Sequence, residues 1–302
     1  MMKLKFCFVI FFIVLFLQTT FAKGIGTTMF QILQMPTNAY DAALANTSSM
    51  GDNSSIGNPA LIPFAEKSVI LSHAVYLQNT RYSIGAVNIP VKETYGFNVS
   101  FCYFDMGSMD KTLDYNGGYI NDGSFNASDK YLNVSYGTRF LQNYSVGISL
   151  KYIKQDIDDV SYSGFAATLT GLYFVTNDIY LNFGIDNFGP DVKGYSLPTN
   201  LYCSIVGPLS EDFVCTLQLD DFYNDDIINC KIAAEKIFHD TFFLRFGYDT
   251  ALNKDYKGTN NSFLTNLTLG AGLKMNNFFI DYAWLPKGDL GNVHMFTLRI
   301  TI

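Results

Sequence analysis

Tryptophan occurs once in this 302-residue chain, histidine three times and proline eight times. The three histidines give little from which to build a catalytic dyad: His239 falls in a two-residue turn, and His294 shares strand parity with Phe296, which places it at an interface. Neither GxSxG nor HExxH occurs. Enzymatic activity, a resident metal and a cofactor are therefore not expected. Basic charge is also scarce, with 20 Lys and Arg against 27 Asp and Glu, for a net charge of −7. A chain with no basic face has nothing to neutralise phosphates, which excludes nucleic acid as a partner. The acidic groups Asp156, Asp158, Asp159 and Asp220, Asp221, Asp225, Asp226 lack the order of a calcium loop and read as solvated strand ends. Cys102, Cys203, Cys215 and Cys230 match no zinc or redox spacing. Cys215 and Cys230 share the apolar face of their strands and read as small buried hydrophobes.

Long apolar runs are missing beyond the first residues, since nothing after residue 22 approaches the roughly 20 residues of a spanning helix. The start itself, MMKLKFCFVIFFIVLFLQTTFA, has Lys3 and Lys5, an apolar run from Phe6 to Leu17, and the small residue Ala22. That order predicts a secretory signal at 1–22. Its loss would remove two lysines and take the net charge from −7 to −9. Residues 23–64 are rich in Ala, Asn, Ser and Thr and lack sustained alternation, so they are expected to form a plug or insert. Within them, TNAYDAALANTS predicts a short helix capped by Thr37 or Asn38.

From residue 65 to 302 the pattern is strand after strand. YSVGISLKY sets Tyr144, Val146, Ile148, Leu150 and Tyr152 on one face and Ser145, Gly147, Ser149 and Lys151 on the other. The last strand alternates likewise, with Phe296, Leu298, Ile300 and Ile302 opposite Thr297, Arg299 and Thr301. Fourteen such segments are predicted, from 67–76 to 292–302, including 94–104, 127–140 and 263–274. Alternation alone also suits a soluble sandwich. The connections discriminate better. Those from even to odd strands are short, whereas 105–126, 188–197, 250–262 and 285–291 are longer, the rhythm of a membrane barrel with tight turns at one end. An all-β fold follows: a closed antiparallel transmembrane β-barrel of about 14 strands, its last strand pairing with its first so that no edge is left open. Aromatics, at 16% of the chain, suit interfacial girdles.

NAYDAALANTSSMGDNSSIGNPALIPF, NDGSFNASDKYLNVSYGTRFLQNYSVGISLKYIKQ and DYAWLPKGDLGNVHMFTLRITI together resemble the PorV/PorQ family of bacterial outer-membrane proteins, which is similar in turn to the FadL-type barrels. The best matches are Gly57-Asn58-Pro59-Ala60-Leu61, Gly123 with Phe125 and Ser128, and Asp281-Tyr282-Ala283 followed by Gly288-Asp289-Leu290-Gly291. The resemblance implies fourteen strands with the N-terminal segment in the lumen, an outer-membrane location, and outer-membrane lipids and the barrel assembly machinery as partners. The chain departs from it at Tyr40-Asp41-Ala42-Ala43-Leu44-Ala45, where relatives have a glycine-rich run after an Arg-Ala pair, and in finishing on Ile302 rather than an aromatic.

Three functions remain open at this point. In the first, a small hydrophobic molecule passes through the barrel against Tyr40, Leu44, Met50, Ile56, Pro59 and Leu61, with Asn58, Arg245 and Arg299 as polar contacts. In the second, suggested by PorV-type relatives, the barrel is an adaptor that hands exported cargo proteins to a type IX secretion system through loops 105–126 and 250–262. The third is a soluble exported sandwich. Lys151, Lys231, Glu235, Arg245, Asp249, Lys274 and Arg299 are expected in the lumen, satisfying one another.

Overall fold

The computed structural model describes residues 28–48, 52–91, 94–115, 117–251 and 262–302. The segment expected to be a signal, 1–22, lies outside the described residues, as do 252–261 of the expected loop 250–262. Among the described residues fourteen strands form one closed antiparallel barrel. They are β1 (Ser68–Val75), β2 (Arg81–Val91), β3 (Tyr95–Tyr115), β4 (Gly118–Leu141), β5 (Tyr144–Ile157), β6 (Val160–Phe174), β7 (Tyr180–Phe188), β8 (Asn200–Ser210), β9 (Phe213–Phe222), β10 (Ile227–Phe238), β11 (Phe242–Ala251), β12 (Leu267–Met275), β13 (Phe278–Pro286) and β14 (Asn292–Thr301). Each pairs with its neighbours in sequence, and β1 pairs with β14 from Ser68↔Thr301 to Val75↔His294. Within the barrel wall closure leaves no strand edge exposed, so the soluble sandwich is excluded.

Alternation decides which side faces in. On β5, Val146, Ile148 and Leu150 are exposed while Ser145, Gly147 and Ser149 are buried. The apolar face is thus the outer one on strand after strand, as at Phe101, Leu132, Leu217, Ile232 and Phe296. Each such side chain left in water would forfeit about 1.5–3 kcal/mol of burial, so this exterior requires a non-aqueous surrounding. Aromatic pairs mark its borders: Tyr144 stacks on Tyr173 at 4.6 Å near the short turns, and Tyr152 meets Phe165 at 5.2 Å toward the other end. Tyr144 and Tyr152 are eight residues apart, which at about 3.4 Å per residue and about 40° of tilt gives roughly 20 Å of height. That is close to the apolar band of a lipid-facing barrel. Cys203, Cys215 and Cys230 lie on this outer face, half-buried, because in a barrel the apolar side of a strand points outward; Cys102 alone of the four is fully buried, and all are free thiols.

One expected loop is not a loop. Residues 105–126 continue β3 and β4 as a paired ribbon with register shifts at Asp105/Ser108 and Asp110/Thr112. The bulges interrupt the period of two, and the ribbon has no core to impose a buried face, so alternation fades while pairing persists. Likewise β12 starts at Leu267, after a helical turn Ser262–Thr265.

Inside the barrel lies the described part of residues 28–65, nearly all of it buried. It enters at the end with long connections, where Met29 N–H donates to Ser196 O at 2.9 Å. It leaves toward the short turns, where Phe64 packs edge-on against Phe174. Its regular structure is slight: a helical turn Ala39–Ala43, capped by Asn38 accepting from Asp41 N–H, and 3₁₀ turns such as Pro59–Phe64. Inward hydroxyls serve its backbone. Ala39 N–H donates to Thr297 Oγ1 (2.8 Å), Ala60 N–H to Thr170 Oγ1 (3.0 Å), and Ser145 Oγ–H to Ala60 O (2.7 Å). Glycine allows the approach: a Cβ on Gly147 would lie 2.3 Å from Ala60 N, and one on Gly137 2.1 Å from Pro59 O.

Gly147→Val should therefore unseat Pro59–Phe64 at a cost of about 1–3 kcal/mol. Hydrogen exchange at residues 59–65 should rise while β5 and β6 keep their protection. Unchanged exchange at 59–65 would show that the close packing is not needed.

Candidate functional site: a two-faced cavity

Between the first turns of the inner segment and the wall lies a cavity of about 910 Å³, toward the end with long connections. Its two sides differ because the inward residues of the strands differ. On β14, β1, β2, β3 and β4 a single row of paired residues runs Met295–Ala74–Tyr82–Phe104–Asp129, apolar until its last member. Phe104 is packed edge-on by Tyr76 at 5.9 Å and Tyr82 at 6.1 Å. Met29, Phe30 and Met35 of the inner segment face the same space. Tyr82 O–H donates to Pro36 O at 3.0 Å, which ties that segment to the row.

The opposite side, on β7 to β11, is polar and linked. Asp220, fully buried, accepts from Asn200 Nδ2 (2.6 Å) and Gln218 Nε2 (3.0 Å) and pairs with Lys231 at 3.2 Å. From β5, across β6, Lys151 Nζ donates to Asn187 Oδ1 of β7 (2.7 Å), and Asn187 Nδ2 donates to Leu33 O (3.1 Å), another tie to the inner segment. A charge buried this way is tolerable only with such partners. Among the described residues no group of three or more His, Cys, Asp or Glu is placed to hold a metal.

The residues singled out from the sequence are spread over the inner segment. Ile56 and Asn58 line the cavity, and Asn58 Nδ2 donates to Asn182 Oδ1 at 3.1 Å. Tyr40 lies under the Arg245 guanidinium at 4.4 Å and packs with Leu44 and Ala233. Arg245 is held by Glu235 and Asp281, each at 2.6 Å, so its charge is committed to the wall. Pro59 and Leu61 lie further toward the short turns, Leu61 in a cluster with Leu172, Tyr180 and Val206. Arg299 pairs with Glu66 at 3.2 Å and covers the Phe279 ring at 3.6 Å, also near the short turns. Met50 lies outside the described residues. Of the expected lumen charges, Lys274 is exposed beside the β12–β13 turn, over Phe279.

Sequence reasoning missed the aromatic row. Its signal was present, since Val293 and Met295 have the parity of Thr297 and Arg299 and are apolar where an inward residue is usually polar. An apolar residue on the polar parity of a barrel strand marks either contact with an inner segment or a ligand wall.

The fold has known counterparts. The toluene transporter TodX of Pseudomonas putida is similar at 12% identity and a TM-score of 0.62, over 93% of this chain and 98% of that one. CymD, described as a monoaromatic hydrocarbon channel, gives 11% and 0.61 over 91% and 99%. A FadL homologue of Pseudomonas aeruginosa gives 11% and 0.54 over 88% and 98%. No family model and no curated protein sequence matches the chain.

Arg245→Leu would strand Glu235 and Asp281 in the wall, and removing one partner of a buried pair costs about 3–5 kcal/mol. The unfolding midpoint in urea should fall accordingly, and a loss under about 1 kcal/mol would contradict the network. Asp41, which lines the cavity, accepts from Asn38 Nδ2 (2.6 Å) and from Ser54 Oγ. Burial nevertheless raises its pKa from 3.8 to about 6, with Asp281 adding to the rise. The folded state thus holds a proton that the unfolded chain releases. This contribution is complete below pH 4 and is lost as pH rises through 6, about 2–3 kcal/mol in all. Stability measured from pH 4 to 7 should fall with this sign in the native chain and flatten in Asp41→Asn.

Proposed function

We propose that this chain is a bacterial outer-membrane barrel that passes small hydrophobic molecules, with residues 23–64 as the plug that must shift for passage. The cavity carries this reading: a partly open space, half apolar, between a segment held by side-chain hydrogen bonds and the wall of a barrel with an apolar exterior. Such a mix of apolar wall and few polar groups is what a site for a small apolar ligand requires. The likeness in fold to TodX and CymD, described as a toluene transporter and a monoaromatic hydrocarbon channel, supports it. The finer kinship with PorV/PorQ proteins rests on the sequence resemblance alone.

A second reading, an adaptor barrel that hands exported cargo proteins to a type IX-like system, draws on the β3–β4 ribbon. That ribbon exposes Leu113, Tyr115, Tyr119 and Ile120 well beyond the barrel wall, a surface suited to protein contact.

The test uses Ala39→Cys with Thr297→Cys, neighbours through the 2.8 Å bond between Ala39 N and Thr297 Oγ1. Cells producing the native chain should take up radiolabelled toluene faster than cells lacking it. Oxidation of the double variant should remove the gain, and reduction should restore it. Uptake indifferent to the cross-link would refute a moving plug; no gain with the native chain, together with loss of surface-exposed cargo on deleting 105–126, would favour the adaptor.

A further inference from the structure

One carboxylate of the cavity stands at the end of the aromatic row. Asp129 ends the row Tyr82–Phe104–Asp129 and is only 2% exposed, yet its Oδ1 has no hydrogen-bond partner among the described residues. Its cross-strand neighbour on β5 is Gln155, which lines the cavity and hydrogen-bonds to the carboxylate through its side chain, so that Oδ1 is the oxygen left over. The lysines of the cavity are engaged or directed elsewhere: Lys151 on Asn187, Lys231 on Asp220, and Lys287 toward Asp249. Other buried acceptors along the same walls without a hydrogen-bond partner among the described residues are Asn133 Oδ1, Asp186 Oδ1, Asn200 Oδ1, Asn229 Oδ1 and Asp249 Oδ1; of the two carboxylates among them, Asp186 is near Lys151 and Lys231, and Asp249 is near Lys231 and Lys287. Six aspartates but three lysines line the space. Side chains paired across strands lie about 4.5–5.5 Å apart at Cβ, so the Asp129 side chain and the Phe104 ring are cross-strand neighbours. An acceptor left bare in a buried site costs about 1–3 kcal/mol, and a ligand that donates to it recovers that cost.

We propose that the cavity prefers an amphipathic cation, an aromatic or alkyl amine whose apolar body lies along Met295, Tyr82 and Phe104 and whose ammonium donates to Asp129. The aromatic faces add attraction for the charge. The same surplus of carboxylates disfavours a ligand with an anionic head. This inference rests on the passage reading and narrows it from hydrophobic molecules in general to those with a donating, positively charged end.

The test compares three ligands of matched shape on the purified full-length chain in detergent, by calorimetric titration: 2-phenylethylamine, ethylbenzene and 3-phenylpropanoate. The amine should bind at least tenfold more tightly than either of the others. In Asp129→Asn, its affinity should drop to that of ethylbenzene, with ethylbenzene unchanged within twofold. Heat-modifiable gel mobility checks that the variant is folded; the comparison on the native chain needs no variant. Equal binding of amine and ethylbenzene, or amine binding indifferent to Asp129→Asn, overturns the cation preference and leaves passage of hydrophobic molecules standing. Binding of none of the three overturns both.

Discussion

A buried backbone must have its hydrogen bonds made, and the described residues of 28–65 have too little helix, and only the single bridge of Thr28 to Ser196, to make them. The wall supplies what is missing. Thr297, Thr268, Thr170 and Ser145 each bond to a main-chain atom of the segment, and Asn182 and Asn187 do so through their amides. This explains why the inward parity of so many strands is Ser, Thr, Asn or Gly: the hydroxyls and amides serve the peptide groups, and the glycines let the two chains touch. Each bond contributes only about 0.5–1.5 kcal/mol, but leaving one unmade costs more. The segment is thereby fixed in one path through the barrel.

The cavity is what remains where this service thins. Toward the long connections the segment leans largely on aromatic and methionine side chains, which offer ring faces and methyl groups, and its polar ties there include the Tyr82 hydroxyl on Pro36 O and the Asn187 amide on Leu33 O. On the facing side Asp220 is held by Lys231, Asn200 and Gln218. A space bounded by such unlike walls orients whatever enters it, apolar end to one side and polar end to the other. Arg245, by contrast, is anchored in mid-wall by Glu235 and Asp281 and stacks on Tyr40, so it fixes the helical turn.

Much of the fold was legible in the sequence because a barrel strand has one strict rule. Tyr144 to Tyr152, or Phe296 to Ile302, need only alternate to reveal a strand and its faces, and the rhythm of short and long connections supplied closure. The cap at Asn38 was legible for the same local reason. The ribbon at 105–126 was not, since its bulges and its lack of a buried face erase the alternation that defines a strand in sequence. The cavity was legible only in part. Ile56 and Asn58 belong to it, whereas Tyr82, Phe104 and Asp129 come from different strands and meet through register, which no single stretch of sequence encodes. Arg245 and Arg299 looked like contacts for a ligand because an inward charge is conspicuous; their carboxylate partners lie 10, 36 and 233 residues away.

The paired extension of β3 and β4 gives the barrel a pronounced asymmetry. From Asp105 to Tyr115 the ribbon runs about ten residues, on the order of 30 Å at strand spacing, beyond the last pairing of β3 with β2. Its irregular register at Asp105/Ser108 falls where it parts from the wall, so bending concentrates at its base as in a wrist. Large bodies approaching this end of the molecule meet the arm long before the mouth, while something the size of a single aromatic ring slips past it.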